Sequence, residues 1–162
     1  METVESLKWI KENNLYELCE KASVSLRKIF TPCLAVKDEK LLIVGDTGYA
    51  DKNVAAVLSG AYYLAAQSLK LDAKLILQTV KSRGDISGQD VVSNLSELKS
   101  GNIIILNMSD KLGNIQELGK SFRRWVAKKN HRFVSAMSLG DLNTGSLDTV
   151  LNAIDVNYKP FQ

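Results

Sequence analysis

Short apolar runs alternating with stretches of helical period constrain this chain more than any other feature of it. Leu41–Val44 is a continuous apolar run that ends in Gly45-Asp46-Thr47-Gly48. Ala73–Val80 and Asn102–Asn107 are two more such runs, and His131–Met137, with Phe133, Val134 and Ala136, makes a fourth. Runs of this length bounded by turn residues predict strands buried on both faces. Between the first two, Val54, Val57, Leu58, Ala61, Tyr62, Ala65 and Leu69 form one helical stripe, with Asp51 as the expected N-cap. Asp90–Lys99 reads as a short helix closed by Gly101, and the spacing over 114–129 predicts a long one. A last short helix is expected over Gly145–Ile154, and the tail Asp155–Gln162 has no clear period. Two helices lead the chain, over 3–13 and 15–30, and Thr31-Pro32 is expected to end the second.

Strands alternating with helices imply parallel pairing through crossovers. The expected fold is therefore α/β: a three-layer doubly wound (Rossmann-like) sheet of about four parallel strands, with the first strand near the centre in the order 2-1-3-4 or a close relative of it, and with two leading N-terminal helices. A length of 162 residues at 45% hydrophobic content suits a single domain over 1–162 with a core of its own.

Composition removes several functions. His131 is the only histidine, and it falls at the predicted start of the fourth strand, away from the loops where such sheets bind ligands. That argues against a nucleophilic triad and against most zinc sites built from His and Cys. Cys19 and Cys33 form no CxxC motif and read as reduced, partly buried thiols. The acidic, amphipathic start lacks a secretory leader, and no apolar run is long enough to span a membrane, so a cytoplasmic protein is expected.

Three loops fall at the carboxyl ends of strands, where a doubly wound sheet takes its ligands. The first holds Asp46, Thr47 and Gly48, the second Ser109 and Asp110, and the third Gly140 and Asp141. Each offers backbone N–H groups or small polar side chains to an anion. Structural turns and caps explain the same residues. Asp46, Asp110 and Asp141 also suggest a carboxylate cation site.

Charge is uneven along the chain. Residues 111–132 hold seven basic side chains and one acid, leaving fourteen basic and seventeen acidic residues elsewhere. On a helix over 114–129, Lys120, Arg123, Arg124 and Lys128 share one arc and Ile115, Leu118, Phe122, Trp125 and Val126 the other. The basic arc is a solvated face or a contact surface for an acidic partner. Its aromatics fall on the apolar arc, which disfavours a nucleic-acid platform.

From Leu15 to Phe161 the chain resembles the N-terminal domain of the aminopeptidase T-like metallopeptidases, the thermophilic leucyl aminopeptidases. The resemblance rests on Cys33-Leu34-Ala35-Val36-Lys37, Leu41–Gly48, the alanine-rich helix 53–68 with Leu71-Asp72-Ala73, and Leu151–Tyr158. The loop after Lys81 departs from the family's proline-rich stretch. The resemblance implies that the metal ligands lie in a later C-terminal domain, so no catalytic residue and no cofactor belongs to this chain. A divalent metal pair is implied only for that other domain. The expected partners are its own C-terminal domain or a second copy. Beside this stand two readings from the residues alone: a small-anion or nucleotide-binding module at Asp46–Gly48, and an interaction domain using the basic helix.

Overall fold

The computed structural model describes residues 1–154. Strands β1 (Leu41–Asp46), β2 (Ala73–Gln78), β3 (Ile103–Asn107) and β4 (Arg132–Ala136) form one sheet in the order β2-β1-β3-β4. Every pairing is parallel, as the alternation of strands and helices predicts. The register aligns Asp46 with Gln78 and Gly45 with Asn107, so polar residues close three neighbouring strands at one level.

Parity along the strands divides the core in two. Leu41, Ile43, Leu75, Leu77, Ile103 and Ile105 face α1 (Thr3–Glu12), α2 (Tyr16–Lys28), α3 (Val54–Ser68) and α6 (Leu147–Ile154). Leu42, Val44, Ile76, Ile104 and Leu106 face α4 (Gln89–Glu97) and α5 (Phe122–Lys128). The result is a three-layer α/β fold. Helix α3 lies between the sheet and the leading helices, and small residues let it approach both. A Cβ on Gly60 would sit 2.7 Å from Cys19 Sγ, and one on Gly45 would sit 2.1 Å from Ser59 Oγ.

Several boundaries differ from the sequence expectation. Pro32 does not stop α2 outright: the chain continues through a wide π-type turn over Ile29–Cys33, closed by Leu34 N–H on Ile29 O at 2.9 Å. Asp51 is not a cap. It adopts φ 57° in a turn, and α3 begins after Asn53. Gly101 lies in the turn before β3, four residues beyond the end of α4. Cys19 is buried, with its thiol pushed up to about 12 by desolvation, whereas Cys33 is exposed.

The largest correction concerns 114–129. A single turn of 3₁₀ helix over Gln116–Leu118 ends at Gly119, whose φ of 148° breaks the helix. Ser121 then caps α5, its hydroxyl accepting from Arg124 N–H at 3.4 Å. Helix α5 is therefore seven residues long, and the basic arc is divided. Lys120 precedes the helix; Arg123, Arg124 and Lys128 belong to it. The C-terminal segment Asp155–Tyr158 that contributes to the family resemblance lies outside the described residues, as does the rest of the tail to Gln162.

The two sheet edges differ. Along β2, Leu75 N–H donates to Thr3 Oγ1 and Leu77 N–H to Ser6 Oγ, both at 3.1 Å. The N-terminal ammonium of Met1 donates to Leu77 O at 2.7 Å and pairs with Asp90 at 2.9 Å. The chain's own start thus covers that edge, which suppresses further strand pairing there. Strand β4 pairs only with β3 among the described elements.

Candidate functional site

The carboxyl ends of β1 and β3 are the switch point of this sheet, because α3 leaves toward one face and α5 lies on the other. Doubly wound sheets open their ligand crevice at such a point. Here the crevice is filled by Asp46, which is fully buried. Its Oδ2 accepts Ser109 N–H at 2.7 Å. Its Oδ1 accepts Gly48 N–H at 3.0 Å and the Ser109 hydroxyl at 2.5 Å. Burial pushes the Asp46 carboxyl above its ordinary value, while these donors pull it back and nearby Asp110 raises it further.

The remaining residues of the three loops extend this clamp. Gly140 N–H donates to Ser109 O at 2.9 Å, and a Cβ there would sit 2.9 Å from both that oxygen and Tyr49 Cε2. Gly48, at φ 72°, leaves no room for a side chain beside Lys52 O. Thr47 N–H donates to Gln78 O, and Thr47 O accepts from Asn53 Nδ2. Asp46, Thr47, Gly48, Ser109 and Gly140 therefore gather in one hydrogen-bonded knot. Asp110 and Asp141 stay at its rim, Asp110 loosely paired with Lys111 at 3.9 Å and Asp141 exposed. Among the described residues no three His, Cys, Asp or Glu side chains gather where they would hold a metal ion.

Two further side chains act at this end: Gln78, which the sequence did not single out, and Asn107, which opens the second candidate loop. Buried Gln78 donates from Nε2 to Leu112 O at 2.8 Å and accepts Gly88 N–H on Oε1 at 2.7 Å. Asn107 Nδ2 donates to Ser59 Oγ at 3.2 Å. The available signal was a polar residue at the end of each apolar strand, a position at which side chains meet loop backbone.

His131 lies at the opposite end of the sheet, as expected. Its Nδ1 accepts Asn102 N–H at 3.0 Å, which puts the imidazole proton on Nε2, and its ring packs 5.2 Å from that of Trp125. Burial lowers its pKa below the ordinary value.

The basic residues lead elsewhere. Helix α5 starts only at Phe122, so the carboxyl-terminal part of β4 lies beside the loop that precedes the helix. A groove of about 470 Å³ opens there. Leu106, Phe122, Phe133 and Met137 form its apolar floor. Lys120 and Arg123 line it, joined by Arg83 and Lys111, which sequence reasoning did not select; among the described residues Asp85 is the one acid there. Arg124 and Lys128 are exposed but do not line it.

No helix among the described residues is long and apolar enough to cross a membrane. No family model, curated protein or solved structure matches the chain.

Proposed function

We propose that this chain is a non-catalytic α/β platform domain of the kind that precedes the metal-binding domain in aminopeptidase T-like metallopeptidases, and that it works by assembly with that domain or a second copy. The observation that carries this reading is the Asp46–Ser109 clamp. It fills the switch-point crevice with the chain's own hydrogen bonds, which take up both oxygens of the Asp46 carboxylate. The element order supports the resemblance: two leading helices precede a parallel sheet in the order β2-β1-β3-β4.

The experiment is a turnover assay. The purified chain is incubated with Zn²⁺ or Co²⁺ and a leucyl anilide, and no hydrolysis above the metal blank is expected. Metal-dependent release of the anilide by the chain alone would overturn the reading.

The cationic groove favours a second reading, a module that binds an anionic partner. A nucleotide at Asp46–Gly48 would meet a Gly48 amide already bonded to Asp46. A thermal-shift screen with nucleotides and phosphate esters tests this: stabilisation abolished by altering the Gly45–Tyr49 turn would assign the ligand to the crevice.

A further inference from the structure

We infer that the open edge of β4 and the cationic groove beside it dock an extended acidic peptide segment, which adds to the sheet as a fifth strand. This deepens the assembly reading and rests on it, since it names the surface and the chemistry of the partner.

Backbone polarity carries the first half of the argument. Arg132 N–H donates to Asn102 O, and Ala136 O accepts Met108 N–H, so the even-numbered residues of β4 direct their backbone groups toward β3. By the two-residue period, Phe133 and Ser135 direct theirs outward. These outward groups meet no hydrogen-bond partner among the described residues. The β2 edge, by contrast, is capped by Met1, Thr3 and Ser6. One edge is closed by the chain itself, and the other, unpaired among the described residues, is left able to accept a strand.

Charge and shape carry the second half. The side chains of Phe133, Ser135 and Met137 share the face that forms the groove. A strand added at β4 would turn alternate side chains over the same floor, beneath Arg83, Lys111, Lys120 and Arg123. Arg83, Lys120 and Arg123 form no ion pair among the described residues. Carboxylates on the incoming segment would meet these cations. A second copy pairing edge to edge about a two-fold axis would bring two cationic grooves together, and like charges oppose that. The occupant is therefore an acidic segment rather than another β4.

The test uses the ¹⁵N-labelled chain and a short peptide of alternating glutamate and valine. A matched lysine–valine peptide, inorganic phosphate and ATP serve as comparisons. The acidic peptide is expected to shift the amides of Phe133, Ser135, Met137, Lys120 and Arg123, and the basic peptide none of them. Lys120→Glu/Arg123→Glu should weaken binding about tenfold. Arg124→Glu/Lys128→Glu makes the same change in net charge off the groove and should stay within about twofold. All four side chains are exposed, so the fold tolerates both variants.

Any of three results overturns the inference: unmoved Phe133 and Ser135 amides, equal weakening by both variants, or phosphate or ATP reproducing the shifts and displacing the peptide. The failures are distinguishable. Loss of peptide binding without peptidase activity removes the surface assignment alone, whereas metal-dependent turnover removes the platform reading whether or not the peptide binds.

Discussion

Replacing Ser109 by alanine asks whether the closed crevice is structural. The substitution deletes the hydroxyl on Asp46 Oδ1 and keeps Ser109 N–H on Oδ2 and Gly48 N–H on Oδ1. Asp46 is 0% exposed, so bulk water does not replace the lost donor. A hydrogen bond to a charged group contributes about 1.5–3 kcal/mol, and the expected loss at pH 7 is about 2 kcal/mol. For a domain of this size that lowers Tm by roughly 4–8 °C. The loss also has a pH signature. The folded pKa of Asp46 lies above its ordinary value, so between the unfolded and folded values the native state binds more protons. Stability from this group is greatest at low pH and falls as pH rises through that window. The Ser109 hydroxyl opposes the upward shift, so removing it widens the window. The Ser109→Ala deficit should be smallest near pH 4 and largest at pH 7. Urea denaturation at both pH values, in the parent and in Asp46→Asn, measures it. Without the carboxylate, Ser109→Ala should cost no more than about 1 kcal/mol, the value of a neutral hydrogen bond. A variant as stable as the parent at pH 7, or an equal deficit in both backgrounds, would refute the reasoning.

Other consequences follow from the packing. Gly45→Ala would put a Cβ 2.1 Å from Ser59 Oγ and 2.8 Å from Ser59 Cβ, pushing α3 off the sheet. Denaturant unfolding should show a loss of about 1–3 kcal/mol, partly restored by Ser59→Gly. His131 is held neutral by burial, so its contribution is present above its unfolded pKa and is lost as pH falls through the lower folded value. His131→Gln should flatten the stability profile between about pH 7 and pH 5, read by thermal melts across that range. Ser121→Ala removes the α5 cap and should destabilise the chain by about 1 kcal/mol, with local amide exchange rising at Arg124.

Much of the sheet was legible because its signals are local. Leu41–Val44 and Ile103–Leu106 are too apolar to lie anywhere but a central strand, and the helical stretches between strands force parallel crossovers. The same reasoning failed at 114–129 for a physical reason. Ile115 and Leu118 lie three residues apart, which suits a 3₁₀ turn as well as an α-helix, while Gly119 and Ser121 set a break and a cap. The candidate site was legible residue by residue and not as an arrangement. Asp46 and Ser109 were both selected as ligand groups, yet they are 63 positions apart and bind each other. The groove was hidden for a related reason: Arg83 and Lys111 come from loops that only the strand order brings beside Lys120 and Arg123.

The switch point is closed, and among the described residues the outer edge of β4 is unpaired. Residue-resolved amide hydrogen exchange of the chain tests both parts in one measurement. The Ser109 and Gly48 amides, bonded to buried Asp46, should exchange only through large-scale opening, while Phe133 and Ser135 exchange far faster from the native state. Fast exchange at Ser109 and Gly48 together with strong protection at Phe133 and Ser135 would contradict the account.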